Sequence, residues 1–158
     1  LGKAGNGGDS YESSTAALHR ALSPLGLMAA SGQMRFADGS GLSRKNYVSP
    51  AFMTAFLRAM ARSRVWSDFL RSLPYAGEKK TTLEHRMPKA PASLKGRVRM
   101  KSGSMNGVRC FSGYILSPDG RKENTIVFSI FTNNAVAQGS QVYGVIDAMI
   151  ESLAKENE

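Results

Sequence analysis

Lys101-Ser102-Gly103 sets an ammonium, a hydroxyl and an unsubstituted α-carbon side by side. An ammonium on a strand edge holds a carboxylate, a neighbouring hydroxyl shares that contact, and glycine lets a ligand backbone lie close. The backbone N–H of Ser104, next along, is placed to stabilise an oxyanion. Alone, the triplet fits a solvated strand edge better than a site, so its surroundings must decide. The single cysteine, Cys110, reads as a small buried residue, and no Cys/His spacing suits zinc.

The elements that would position the triplet are legible around it. From Arg97 to Lys101 charges alternate with Val98 and Met100, the period of a half-buried strand. Asn106-Gly107 is a strong hairpin signal, so 96–113 reads as strand, turn and strand. The return strand is predicted over Val108–Leu116 and a third over Thr125–Thr132, joined by the turn Ser117-Pro118-Asp119-Gly120. Ile126, Phe128 and Ile130 oppose Val127 and Phe131, so both faces of this sheet need cover. Val142, Val145, Ile146, Met149, Ile150 and Leu153 predict a final helix that covers one face. Helices preceding the chain are expected on the other.

Ahead of the sheet the chain reads as mainly helical. Residues 1–9 are glycine-rich and predict a flexible lead-in. Ala17, Leu18, Ala21, Leu22 and Leu25 recur at helical spacing before Gly26, with His19 on the solvated side. A short strand is predicted over Gln33–Ala37, then a turn over Asp38–Arg44. Ser49-Pro50 opens a helix bearing Met53, Phe56, Leu57 and Met60, and a break near Ser63-Arg64 precedes a second helix with Trp66, Phe69, Leu70 and Leu73. Glu78–Lys95, with Pro88 and Pro91, reads as a polar loop. The pattern is α+β: helices, then a three-stranded antiparallel meander and a terminal helix.

The chain has 158 residues, 42% of them hydrophobic, and a formal charge of +9. That charge suits an anionic partner, but lysine and arginine are scattered through every element, which argues against a nucleic-acid footprint. No apolar run is long enough to span a bilayer, and Leu1–Gly5 lacks the apolar core of a signal peptide.

Three stretches in order, Asp38-Gly39-Ser40-Gly41-Leu42-Ser43-Arg44, Ser72-Leu73-Pro74-Tyr75-Ala76-Gly77 and Lys101-Ser102-Gly103-Ser104-Met105-Asn106-Gly107-Val108, resemble the C-terminal half of the penicillin-binding D-alanyl-D-alanine carboxypeptidase/endopeptidase family, the S13 peptidases. The resemblance covers nearly the whole chain from about Ser10 and implies part of the penicillin-binding, serine β-lactamase-like transpeptidase fold. One departure stands out: Lys79-Lys80-Thr81 replaces the family's usual Asp-Gly before the hydroxyl residue, which predicts a less ordered turn.

The resemblance implies a serine D-Ala-D-Ala carboxypeptidase that acts on peptidoglycan stem peptides through an acyl-enzyme, in the periplasm or cell envelope, without metal or organic cofactor. Lys101, Ser102 and Gly103 then match the family's carboxylate-binding strand, and Ser104 its oxyanion donor. Arg44 and Asn106 match positions that line a pocket for the stem peptide's diamino acid. The nucleophile's Ser-x-x-Lys is expected upstream. Ser152-Leu153-Ala154-Lys155 fits the pattern by chance at the end of a charged tail, and Ser104-Met105-Asn106 fits Ser-x-Asn but overlaps the hairpin turn. Stem peptides, β-lactams and the missing N-terminal half are the expected partners, with self-association possible for the isolated chain and no nucleic acid. A non-catalytic peptidoglycan-peptide binding or assembly module is the alternative.

Overall fold

The computed structural model describes residues 11–27 and 33–156. The predicted lead-in over 1–9 lies outside the described residues. The chain divides into two compact units, 1–63 and 64–158. The boundary falls at the break between helices read at Ser63-Arg64.

In the first unit, α1 spans Tyr11–Leu22 and passes into a 3-10 turn over Ser23–Leu25. Gly26 ends it in the left-handed conformation, φ 71°, which costs glycine nothing. Strand β1 is only Met34–Arg35, shorter than predicted, and pairs antiparallel with β2, Tyr47–Val48, which the sequence did not announce. Helix α2, Pro50–Arg62, starts as predicted: the Ser49 side chain accepts the Phe52 N–H at 3.0 Å, with Pro50 at the first helical position. Leu22, Leu27, Met34 and Phe52 form the buried centre of this unit.

The second unit begins with α3, Trp66–Ser72. The region read as a polar loop departs most from expectation. It contains α4, Ala92–Arg97, and buries Leu83, Met87, Ala90 and Leu94 in the main core. Those four are spaced by 4, 3 and 4 residues, so an apolar row is present, but prolines and charges interrupt it and mask its period. Nor is the turn at Lys79-Lys80-Thr81 loose. Thr81 Oγ1 donates to the Glu78 carbonyl at 2.8 Å and accepts the Leu83 N–H at 3.1 Å.

Strand β3 runs over Val98–Met105, β4 over Val108–Ile115 and β5 over Ile126–Thr132, in the order β3-β4-β5, all antiparallel. Strand β3 starts one residue after Arg97 because α4 ends there. Between Met105 and Val108 only Gly107 has positive φ, 72°, so the turn is not the type I′ that Asn-Gly suggests. The turn after β4 is as read: the Ser117 hydroxyl donates to Asp119, whose carboxylate also accepts the Arg121 N–H at 2.8 Å.

Helix α5, Gly139–Lys155, covers one face of the sheet. Its inward row is Val142, Ile146, Ile150 and Ala154, while Val145 and Met149, predicted inward, are 61% and 47% exposed. Four-residue steps keep one row over a narrow three-stranded sheet, and the flanking positions overhang it. The opposite face is covered in part by this chain itself, because Trp66 and Phe69 of α3 meet the Tyr114 ring edge-on at centroid distances of 4.7 and 6.4 Å.

Candidate active site

Register fixes what each residue of β3 presents. Val98 and Met100 are fully buried towards α5, so Ser102 and Ser104 leave the same face further along. Lys101 and Gly103 leave the opposite face, across from Ser112 and Cys110. The main chain follows the same parity. The Val98 carbonyl accepts the Ala76 N–H at 3.0 Å and the Met100 N–H reaches the Pro74 carbonyl at 3.1 Å, both on the edge away from β4. Two and four residues beyond Met100, the N–H groups of Ser102 and Ser104 point out along that same edge. Neither has a backbone partner among the described residues. Pro74–Ala76 thus seals the start of β3 and leaves the motif open.

Beside this open edge lies a cavity of about 430 Å³ lined by Lys101, Ser102, Ser104, Thr82, Arg86 and Tyr143, among others. Lys101 is exposed, and its Nζ wraps the edge to donate to the Ser102 carbonyl at 2.5 Å. The Ser102 hydroxyl donates to Thr82 Oγ1 at 2.8 Å. At Gly103 an added Cβ would meet only the Cys110 Cβ, at 3.7 Å, so no packing within the chain demands glycine there. Ammonium, hydroxyl and outward N–H therefore converge where an extended chain can lie flat.

The other expected site residues fall elsewhere. Asn106 is exposed at the hairpin tip, where the Gly107 carbonyl accepts the Ala135 N–H at 2.9 Å. Arg44 belongs to the first unit and is exposed at the end of a loop organised by Asp38. The Asp38 carboxylate accepts the Asn46 side-chain amide at 2.7 Å and the N–H groups of Gly41 and Ser43, each at 3.0 Å. These bonds, with that from Asn46 foremost, hold its pKa below the ordinary carboxylate value. Ser152 and Lys155 are exposed near the end of α5, away from the cavity lining.

Thr82, Arg86 and Tyr143 escaped sequence reading. The first two lie in the stretch taken for a polar loop, and Tyr143 is flanked on α5 by the apolar row. Arg86 stacks 4.1 Å above the Tyr143 ring, and its Nη1 stands 3.6 Å from Asp147 Oδ2. Asp147 is buried, and burial raises its carboxyl pKa despite the Met87 N–H, at 3.0 Å, and the Arg86 charge. Among the described residues, no group of three or more His, Cys, Asp or Glu side chains is arranged to hold a metal ion.

The fold and edge strand define a class: the penicillin-binding proteins. The structure resembles penicillin-binding protein 4 from Haemophilus influenzae with TM-score 0.75 and 25% identity, over 92% of this chain and 32% of that one. The model of the D-Ala-D-Ala carboxypeptidase 3 (S13) family matches residues 1–156, and the chain belongs to that family. It is 34% identical to a D-alanyl-D-alanine carboxypeptidase of Actinomadura sp. (strain R39), over 98% of this chain and 28% of that protein. It is 37% identical to penicillin-sensitive carboxypeptidase A of Dictyostelium discoideum, over 75% of this chain. The chain spans 23% and 28% of the length of these curated relatives.

Proposed function

We propose that this chain supplies the substrate-binding strand of a serine D-Ala-D-Ala carboxypeptidase, with endopeptidase action on cross-links, working on peptidoglycan stem peptides in the periplasm or cell envelope. One observation carries the reading: the open β3 edge sets the Lys101 ammonium, the Ser102 hydroxyl and the outward N–H of Ser104 around one cavity. Lys101 and Ser102 hold the carboxylate at the end of the D-alanyl-D-alanine peptide, or that of a β-lactam. A charge-assisted contact of this kind is among the stronger single hydrogen bonds. Gly103 leaves room for the peptide backbone. The Ser104 N–H points to where a carbonyl oxygen gains charge when a serine attacks the bond. That serine, with its lysine base, belongs to a Ser-x-x-Lys upstream of this strand, and an acyl-enzyme forms and is hydrolysed. The family match makes Arg44 the proposed partner of the side-chain carboxylate of a diaminopimelate residue.

The test is labelling of the protein that carries this chain with a fluorescent penicillin, followed by assay on stem peptides. Covalent label outside this chain, on an upstream serine, together with D-alanine release supports the reading. A protein that binds stem peptide but takes no label and releases no D-alanine is a binding module instead. Label on Ser152 would overturn the assignment of the nucleophile.

A further inference from the structure

We propose that Asp147 is a positioning residue for the β3 cleft: by fixing the 82–87 segment from beneath, it holds the Thr82 hydroxyl against Ser102. The inference rests on the reading of β3 given above.

Asp147 is 6% exposed on the inward side of α5, where its helix otherwise presents Val142, Ile146 and Ile150. A carboxylate in that place costs free energy that an apolar side chain would not, so what it holds matters. Its Oδ2 accepts the Met87 N–H at 3.0 Å and faces Arg86 Nη1 at 3.6 Å. Met87 is fully buried and has φ 52°, a left-handed conformation that a non-glycine residue keeps only when its surroundings enforce it. Arg86, gripped between Asp147 and the Tyr143 ring, forms part of the cavity wall.

From Met87 back to Thr82 the chain has little slack. The Arg86 N–H donates to the Leu83 carbonyl at 2.9 Å, the Glu84 N–H to the Thr81 carbonyl at 3.3 Å, and Leu83 is fully buried. A shift at Met87 is therefore passed to Thr82, whose Oγ1 accepts the Ser102 hydroxyl at 2.8 Å. Asp147 never touches a ligand in the cavity. It acts by setting where the Ser102 hydroxyl rests before a carboxylate arrives.

The experiment is a double-mutant cycle in the protein that carries this chain, read as the rate of acylation by fluorescent penicillin. Asp147→Asn keeps an acceptor for Met87 but removes the charge facing Arg86, and Thr82→Val removes the hydroxyl at nearly constant shape. Each alone is expected to slow acylation about three- to tenfold, and the pair together no more than the worse single change. Melting temperatures are read in parallel, because a purely structural role gives losses of acylation that multiply. Multiplying losses, or an unchanged rate for Asp147→Asn, overturn the proposal. Asp147→Leu provides the harsher variant and should lose more than Asp147→Asn. If the wild type takes no penicillin, it is the functional reading that falls. The cycle is then decided by the amide resonance of Ser102, which should move on Asp147→Asn only where Thr82 is intact; a shift independent of Thr82, or none, overturns the positioning role.

Discussion

Gly113 lies directly across the β3–β4 ladder from Met100, so close that an ideal Cβ on Gly113 would stand 2.6 Å from the Met100 Cα and 2.0 Å from the Arg99 carbonyl oxygen. Backbone atoms cannot yield as a flexible side chain can, and these belong to the strand that carries Lys101. Gly113→Ala is expected to cost about 3 kcal/mol or more, the upper range for overpacking a core. Urea unfolding of the purified chain measures it, and a loss below about 1 kcal/mol would mean that the two strands are less tightly apposed than described.

Lys101→Ala in the protein that carries this chain removes the charge partner proposed for the substrate carboxylate. Acylation by penicillin and turnover of stem peptide should both fall roughly ten- to hundredfold. Stopped-flow acylation is the direct readout. Full activity in the variant would place Lys101 outside the cleft.

Arg44→Ala separates substrate choice from chemistry. If its guanidinium meets the side-chain carboxylate of diaminopimelate, cleavage of peptides carrying that residue should drop while lysine peptides and penicillin are nearly untouched. Matched peptides compared on the two proteins decide it. Asn106→Ala serves as the weaker companion, because Asn106 also shapes the turn before Gly107. Equal losses on both peptide types would assign Arg44 to the loop built around Asp38.

Asp147 makes stability depend on pH in a definite direction. Burial lifts its carboxyl above the ordinary 3.8, so the native state binds its proton more tightly than the unfolded chain does. Its contribution is fully present below the unfolded value and is lost as pH rises through the native one. Asp147→Asn has no such titration. Relative to wild type, the variant's melting temperature should therefore improve as pH is raised from about 3 to 7. A difference, variant minus wild type, that stays constant across this range or falls as pH rises would contradict the raised value.

Cys110 sits half-buried on β4, and burial raises its thiol above the usual range. Since only the thiolate is nucleophilic, alkylation by iodoacetamide near pH 8 should be several-fold slower than for a free cysteine and should reach the free rate in denaturant. Mass spectrometry over a time course reads this. Equal rates in the native and unfolded chain would place the thiol in solvent.

The sheet and its motif were readable because each depends on neighbours in sequence: the alternation around Val98 and Met100, Gly107 in the turn, and Ser117–Gly120 between strands. The Ser49 cap of α2 was readable for the same reason. The far wall of the cavity was not. Thr82, Arg86 and Tyr143 meet β3 only through tertiary contact, and the row Leu83, Met87, Ala90, Leu94 is hidden among the charges and prolines of a stretch that reads as solvated. Asp147 gave no signal, since a carboxylate amid the apolar residues of a helix ordinarily marks the wet side. Only the distant Met87 N–H and Arg86 explain its burial.

Pro74–Ala76 also turns β3 into a ruler. It occupies the edge as far as Met100, leaving Ser102 and Ser104 as the outward-facing positions, and the Ser102 carbonyl already receives Lys101 Nζ. At about 3.3 Å per residue, the span from Ser102 to Ser104 matches roughly two residues of an incoming strand. A chain laid on this edge meets the Pro74 stop after that distance. On the proposed function, the edge would gauge how near a peptide's end lies to the bond it presents, and with backbone alone, before any side chain is read.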